Sequence, residues 1–206
     1  MSLSQATETG SIYTVDEITD ISKVCKSNGL SLHMDGARFA NALCALDCTP
    51  AQMTWQAGVD ILSFGASKNG ALSVEAIVLF DQSYAEELGY RRKRAGHLCS
   101  KMRFQAAQLD AYLADDLWLR NAKQANDMAQ YLAAGLAKID AITIQGKVDA
   151  NIIFCEMPQA LFDALQAEGF YFYNGRWGKD VCRLVTSFVT QKRDIDHFVA
   201  SAMRLA

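Results

Sequence analysis

Residues 30–38 read Leu30-Ser31-Leu32-His33-Met34-Asp35-Gly36-Ala37-Arg38. The first six residues predict a short buried strand that ends on a carboxylate, and Gly36 breaks it. Upstream, Thr14-Val15-Asp16-Glu17 has the spacing of a capping box. Ile18, Ile21 and Cys25 follow at helical intervals up to a stop at Asn28-Gly29. Downstream, a helix is expected over Phe39–Leu46. Thr49-Pro50-Ala51-Gln52 then supplies a second helix start, and that helix closes near Gly58. Asp60–Phe64 and Glu75–Phe80 read as further strands. Strands alternating with helices at this pace predict an α/β layer built on a mostly parallel sheet. Functional groups in such sheets collect just past the carboxyl ends of the strands. Two polar clusters stand at those positions, residues 33–38 and Gly65-Ala66-Ser67-Lys68-Asn69-Gly70.

The second half has a different texture. Phe104–Lys138 is helical in composition, with a break expected at Asp115-Asp116. Beyond it, Ala141–Gln145, Asn151–Glu156, Phe170–Tyr173 and Val181–Val185 read as strands. Pro158–Glu168 reads as a helix closed by Gly169, and a last amphipathic helix carries Ile195, Phe198, Val199 and Met203. This predicts a small C-terminal α+β domain, with the division at 1–115 and 116–206.

The 206 residues are 50% hydrophobic and 21% charged, which suits a folded globular chain rather than a disordered one. A net charge of −3 argues against a nucleic-acid partner, which asks for a basic face. No apolar run reaches the length of a membrane span, and Met1–Gly10 has no signal-peptide core, so no membrane partner is expected. The 6 cysteines and 3 histidines show no metal spacing; buried reduced thiols in a cytoplasmic protein are the expectation, with no metal.

Asp35 and Lys68, at the ends of neighbouring strands, can face one crevice. A cofactor with an aldehyde and a basic ring nitrogen needs these two groups. An amine forms a Schiff base with the aldehyde, and a carboxylate keeps the ring nitrogen protonated. Taken singly, Lys68 would read as a solvated surface group and Asp35 as a cap. Arg183 alone reads equally well as a strand-face arginine in a surface ion pair. His33 reads as a satisfied core histidine, and the basic run from Arg91 to Arg103 as a solvated helix face.

Ser4-Gln5-Ala6-Thr7-Glu8 with Gly10 and Tyr13, His33-x-Asp35-Gly36-Ala37-Arg38, Ser67-Lys68-Asn69-Gly70, Arg91–His97 and Arg183-Leu184-Val185-Thr186-Ser187 together resemble the low-specificity L-threonine aldolases. The Gly-His-x-x-Ser-Lys-x-Arg-Phe form at 96–104 is similar to the pseudomonad-type threonine and phenylserine aldolases. The resemblance implies the aspartate-aminotransferase fold (fold type I) and pyridoxal 5'-phosphate as cofactor. It also implies cleavage of β-hydroxy-α-amino acids to glycine and an aldehyde. By the same resemblance Lys68 is the Schiff-base lysine and Asp35 the partner of the pyridine nitrogen. Arg38 lies beside cofactor and substrate carboxylate, and Arg183 grips that carboxylate through paired donors. His33 positions the ring or holds Asp35 and is a candidate catalytic group. Arg94, Lys101 and Arg103 are candidate anion contacts near the cofactor phosphate and a subunit interface. The implied partners are a small β-hydroxy amino acid and further copies of the chain, as a dimer or tetramer.

The resemblance also implies a long N-terminal stretch, ahead of the first matching block, that carries the phosphate loop and a ring-stacking side chain. Without it, cofactor affinity would be weakened and the first strand would expose a sheet edge. Two readings follow: an aldolase-type lyase, or a truncated, catalytically inactive remnant that only folds and self-associates. A β-eliminating enzyme using the same cofactor is a third, which the Asp-Gly-Ala-Arg block fits less well.

Overall fold

The capping box at Thr14 forms as its spacing predicts. The Thr14 hydroxyl accepts from the Glu17 amide at 3.2 Å, and the Glu17 carboxylate accepts from the Thr14 amide at 2.7 Å. It opens α1 (Val15–Ser27) in the first of two compact units of a computed structural model that describes residues 1–206. That unit comprises residues 1–7 and 13–120. Its other elements are β1 (Ser2–Ser4), β2 (His33–Gly36), α2 (Phe39–Leu46), α3 (Pro50–Met53), β3 (Ile61–Gly65), β4 (Glu75–Leu79), α4 (Ala85–Arg94), α5 (Arg103–Leu113) and the start of α6 (Leu117–Leu136).

The sheet runs in the order β1-β2-β3-β4; the first three strands are parallel and β4 is antiparallel to β3. Alternation along the strands splits the sheet into two faces. Leu3, Met34, Leu62 and Phe64 are buried on one face; each large side chain removed from water there contributes about 1.5–3 kcal/mol. Phe39, Phe64, Tyr112 and Trp118 pack ring against ring beneath it, at centroid distances of 5.7–6.5 Å. The other face is polar and partly open to solvent. Register aligns Ser4, Asp35 and Ser63 across three strands, with Ser2, His33 and Ile61 in the row behind.

The second unit comprises residues 8–12 and 121–206. Its sheet is antiparallel throughout, in the order β5 (Thr143–Gln145), β6 (Ile152–Glu156), β8 (Val181–Val185), β7 (Tyr173–Asn174). The later part of α6, α7 (Gln159–Ala167) and α8 (Lys192–Leu205) supply the core around Leu136, Ile153, Leu161, Leu165, Leu184 and Phe198. Cys155 and Cys182 are register partners in that core. Burial pushes their thiols up, to about 12 and about 11.

Several elements differ from the sequence reading. β1 carries no strong apolar period and was not anticipated; of the basic run read as a helix face at Arg91–Arg103, Arg91–Arg94 end α4, Arg103 opens α5, and residues 95–102 are not helical. The run expected as a strand at 170–173 pairs only at Tyr173–Asn174. Phe170 and Phe172 instead spend their side chains against Phe198, edge on at 5.1 and 5.7 Å. The break at 115–116 is present, with both aspartates in the left-handed region (φ 49° and 55°). Cys99 is exposed, against the expectation of buried thiols.

Candidate active site

The blocks at 33–38 and 65–70 meet because two glycines let backbone touch backbone. A Cβ on Gly36 would lie 2.7 Å from the Ser63 carbonyl oxygen. One on Gly65 would lie 2.7 Å from Ala37 Cα and 2.8 Å from the Gly36 oxygen. Any side chain at either position would drive the carboxyl ends of β2 and β3 apart.

Asp35 sits at the end of β2 on the polar face, half-buried. One carboxylate oxygen accepts from the Ala37 amide at 3.0 Å, and no cation pairs with it. His33, two residues earlier on the same face, is held at both ring nitrogens. Nδ1 lies 2.8 Å from Ser2 Oγ and Nε2 lies 2.9 Å from Ser63 Oγ. Serine hydroxyls donate or accept, so either imidazole tautomer satisfies the row. Arg38 follows the glycine turn as the residue that opens α2.

Lys68 lies on a single 3₁₀ turn, Ser67–Asn69, in the loop that joins β3 to β4. Its side chain is exposed and takes part in no ion pair. The loop around it is tied down on every side. Glu75 Oε2 accepts from the Ala66 amide at 3.1 Å and Oε1 from the Ser67 amide at 3.2 Å. Ser67 Oγ donates to the Val74 carbonyl at 3.2 Å. The buried Asn69 side-chain amide donates to Tyr112 Oη at 2.7 Å and to the Trp118 carbonyl at 2.8 Å. Gln108 Oε1 accepts from the amides of Leu72 and Ser73 at 3.1 and 2.9 Å. Burial pushes the Tyr112 phenol up to about 12, so it stays a neutral partner for Asn69. A solvated surface lysine needs none of this bracing. The arrangement presents one unpaired amine on a fixed turn after β3, and a carboxylate with a free oxygen at the end of the neighbouring strand β2.

That donor set fits a group with an aldehyde and a basic ring nitrogen, such as pyridoxal 5'-phosphate. Lys68 would hold the aldehyde carbon and Asp35 the ring nitrogen; the group would supply an electron-accepting ring. The amides of Ala66 and Ser67 are already taken by Glu75 and are not available to a phosphate.

The remaining predicted residues stand elsewhere. Arg94 closes α4, Lys101 lies in the turn after it and Arg103 opens α5. All three are exposed, and Arg103 lies 5.5 Å over the Phe104 ring. None of them hydrogen-bonds to the strand-end residues. Arg183 belongs to the second unit, on β8, with its guanidinium 5.5 Å over the Trp177 ring. Its Nε is buried without a hydrogen-bond partner, and no acid neutralises it. Trp177 is met edge on by Phe154 at 5.3 Å and by Tyr173 at 6.1 Å. Glu75, Asn69, Gln108 and Tyr112 were not anticipated as part of the site. Of these only Asn69 stands inside a motif, directly after the lysine.

Known proteins match most of this chain. The profile of the beta-eliminating lyase family matches residues 1–159. The low specificity L-threonine aldolase of Pseudomonas sp. (strain NCIMB 10558) is 44% identical over 97% of this chain and 58% of its own length. That of Pseudomonas aeruginosa is 47% identical over 84% of this chain and 50% of its own. The structure of Leishmania major threonine aldolase superposes with a TM-score of 0.88 at 28% identity, covering 99% of this chain and 60% of that one. The chain thus spans about half to three fifths of the length of the proteins it matches. With the profile covering more than half of its residues, this chain belongs to the beta-eliminating lyase family.

Proposed function

We propose that this chain carries the lysine half of a pyridoxal-phosphate-dependent aldolase. The reaction cleaves β-hydroxy-α-amino acids such as L-threonine or phenylserine to glycine and an aldehyde. The observation that carries the reading is the close approach of the adjoining strand ends that carry the Asp35 and Lys68 blocks, with the amine free of ion pairs and its loop braced. The similarity to two low specificity L-threonine aldolases supports the substrate class.

When bound, the cofactor supplies a conjugated ring that accepts the electron pair of the breaking Cα–Cβ bond. Lys68 would hold the cofactor through its amine. Asp35 holds a proton at the ring nitrogen, an assignment its cation-free carboxylate favours. Arg183 and Arg38 orient the substrate carboxylate and so select which bond at Cα is activated. The stacking of Arg183 on Trp177 leaves its in-plane donors to a carboxylate. His33, saturated by Ser2 and Ser63, fixes the polar face beside Asp35. The β-hydroxyl proton leaves as the aldehyde forms, and Cα of glycine takes up a proton. Arg94, Lys101 and Arg103 are the anion contacts in this reading, with 1–115 and 116–206 as the two domains. The reading extends to a cytoplasmic homo-oligomer. Exposed apolar side chains such as Leu72 (89%), Tyr90 (64%) and Phe104 (60%) provide surface for self-association. No helix is long and apolar enough to cross a membrane.

The test is to add pyridoxal phosphate to the purified chain, reduce with borohydride and map the modified residue. Label on Lys68, with glycine released from threonine or phenylserine, is the expected result. Label spread over surface lysines, or no spectral change, overturns the assignment of Lys68. Label on Lys68 without glycine release supports instead the non-catalytic reading of this chain.

A further inference from the structure

We propose that Glu75 is the positioning residue of the lysine turn, its carboxylate clamping the two amides that precede Lys68 so that the amine is presented in one place. The proposal rests on the reading of Lys68 as the cofactor lysine.

β3 and β4 form an antiparallel hairpin whose last register pair is Gly65 with Glu75. The loop between them is residues 66–74, and Lys68 is its one cation. The first amides of a helical turn have no partner within it. At this turn the Glu75 side chain reaches back across the hairpin mouth and takes both. Oε2 accepts from Ala66 at 3.1 Å and Oε1 from Ser67 at 3.2 Å. Ser67 Oγ then closes the same ring of contacts onto the Val74 carbonyl at 3.2 Å. A carboxylate is suited to this because it offers two acceptors and no donor; a glutamine would set an NH₂ group against an amide N–H.

Glu75 pairs with no cation, Lys68 included. Its charge is therefore spent on backbone amides rather than on a salt bridge, and the lysine amine stays free to react. Ser67 is the residue directly before Lys68, so loosening its amide moves the Cα from which the long side chain springs. Asn69 anchors the turn from the other side, by its bonds to Tyr112 and Trp118. Lys68 is thus the one unattached side chain between two fixed residues.

The test compares the full chain with Glu75→Gln and Glu75→Ala. Pyridoxal phosphate followed by borohydride is the first probe, and brief acetylation with acetic anhydride is the second. Each is scored as the labelling of Lys68 relative to the nine other lysines of the same molecule, which act as internal standards. Hydrogen exchange at the Ala66 and Ser67 amides reports the clamp itself. Both variants are expected to exchange faster at those amides and to lose about tenfold in Lys68 preference with pyridoxal phosphate. Glu75→Gln, which keeps the size of the side chain, should behave like Glu75→Ala rather than rescue it. Faster exchange with an unchanged Lys68 preference for both probes overturns the proposal, since Glu75 would then be merely structural. Unchanged exchange overturns it as well. If the unsubstituted chain shows no preference for Lys68, the reading of Lys68 fails and this proposal with it. A preference that is present but insensitive to Glu75 removes this proposal alone.

Discussion

Gly65→Ala tests the contact that joins the carboxyl ends of β2 and β3, where the Asp35 and Lys68 blocks stand. A Cβ at this position would meet Ala37 Cα at 2.7 Å and the carbonyl oxygens of Ala37 and Gly36 at 2.8 Å, all of them backbone atoms. An unstrained contact needs at least 3.4 Å, so the ends of β2 and β3 must part by roughly 0.7 Å. Overpacking of this kind costs about 1–3 kcal/mol. The φ of Gly65 is not positive, so alanine carries no backbone strain, and it recovers about 0.5–1 kcal/mol of chain entropy. The net loss is therefore up to about 2.5 kcal/mol, a fall in melting temperature of up to roughly 10 °C for a chain of this size. Gly89→Ala is the control. It lies in α4 with no atom near its Cβ and ordinary backbone angles, and should gain up to about 1 kcal/mol. Thermal melting followed by circular dichroism measures both, with borohydride labelling of Lys68 as the functional readout. Labelling should fall in Gly65→Ala and hold in Gly89→Ala. A Gly65→Ala chain that melts and labels like the unsubstituted one would refute close backbone packing as the cause of the meeting.

Two further outcomes can be measured. Asn69→Ala leaves the Trp118 carbonyl and the Tyr112 hydroxyl without their shared donor in a buried setting. It should cost about 2–3 kcal/mol in urea denaturation, against about 1 kcal/mol for Tyr112→Phe; equal losses would show that the Trp118 bond contributes nothing. Burial raises Cys155 to about 12 and Cys182 to about 11, whereas in the unfolded chain both ionise near 9.0. The folded state keeps these protons when the unfolded state has released them. Their stabilising effect is thus complete below about pH 9 and is lost as pH rises from there through about 11 for Cys182 and about 12 for Cys155. The slope is at most about 1.4 kcal/mol per pH unit per thiol. The double variant Cys155→Ala, Cys182→Ala should flatten that alkaline slope, and an unchanged slope would remove the thiols from the explanation.

What could be read directly from the chain was local in origin. The Thr14 and Thr49 capping boxes, α2 and the break at Asp115 follow from neighbours three or four residues apart. The pairing of β2 with β3, whose carboxyl ends carry the two polar blocks, was legible for a coarser reason: parallel neighbouring strands deliver their ends to one edge of the sheet. The bracing of the lysine loop was not legible. Glu75 acts eight and nine residues back, and Asn69 reaches Tyr112 and Trp118 across 43 and 49 residues, distances over which sequence pattern carries no signal. The antiparallel sense of β4 could have been read: the loop at 66–74 is shorter than the crossover of a dozen or more residues that a parallel neighbour needs. At Phe170 and Phe172 the aromatic run suggested a strand, but both rings pack against α8, while the Phe170 amide donates to the Leu165 carbonyl and the Phe172 carbonyl accepts from the Gln166 side chain.

The hairpin of β3 and β4 also has a bearing on how the site assembles in time. Closing a loop of about ten residues takes on the order of 10–100 ns, and hairpin formation follows in about 1–10 μs. Glu75 and the amides it binds lie within that short span, so the lysine turn can form from its own segment. Asp35 reaches its place only when β2 pairs in parallel with β3, a contact bridged by 28 residues in register. Such non-local pairing comes later. During refolding, protection of the Ala66 and Ser67 amides should therefore precede that of the β2 amides, and the amine would be shaped before its carboxylate arrives.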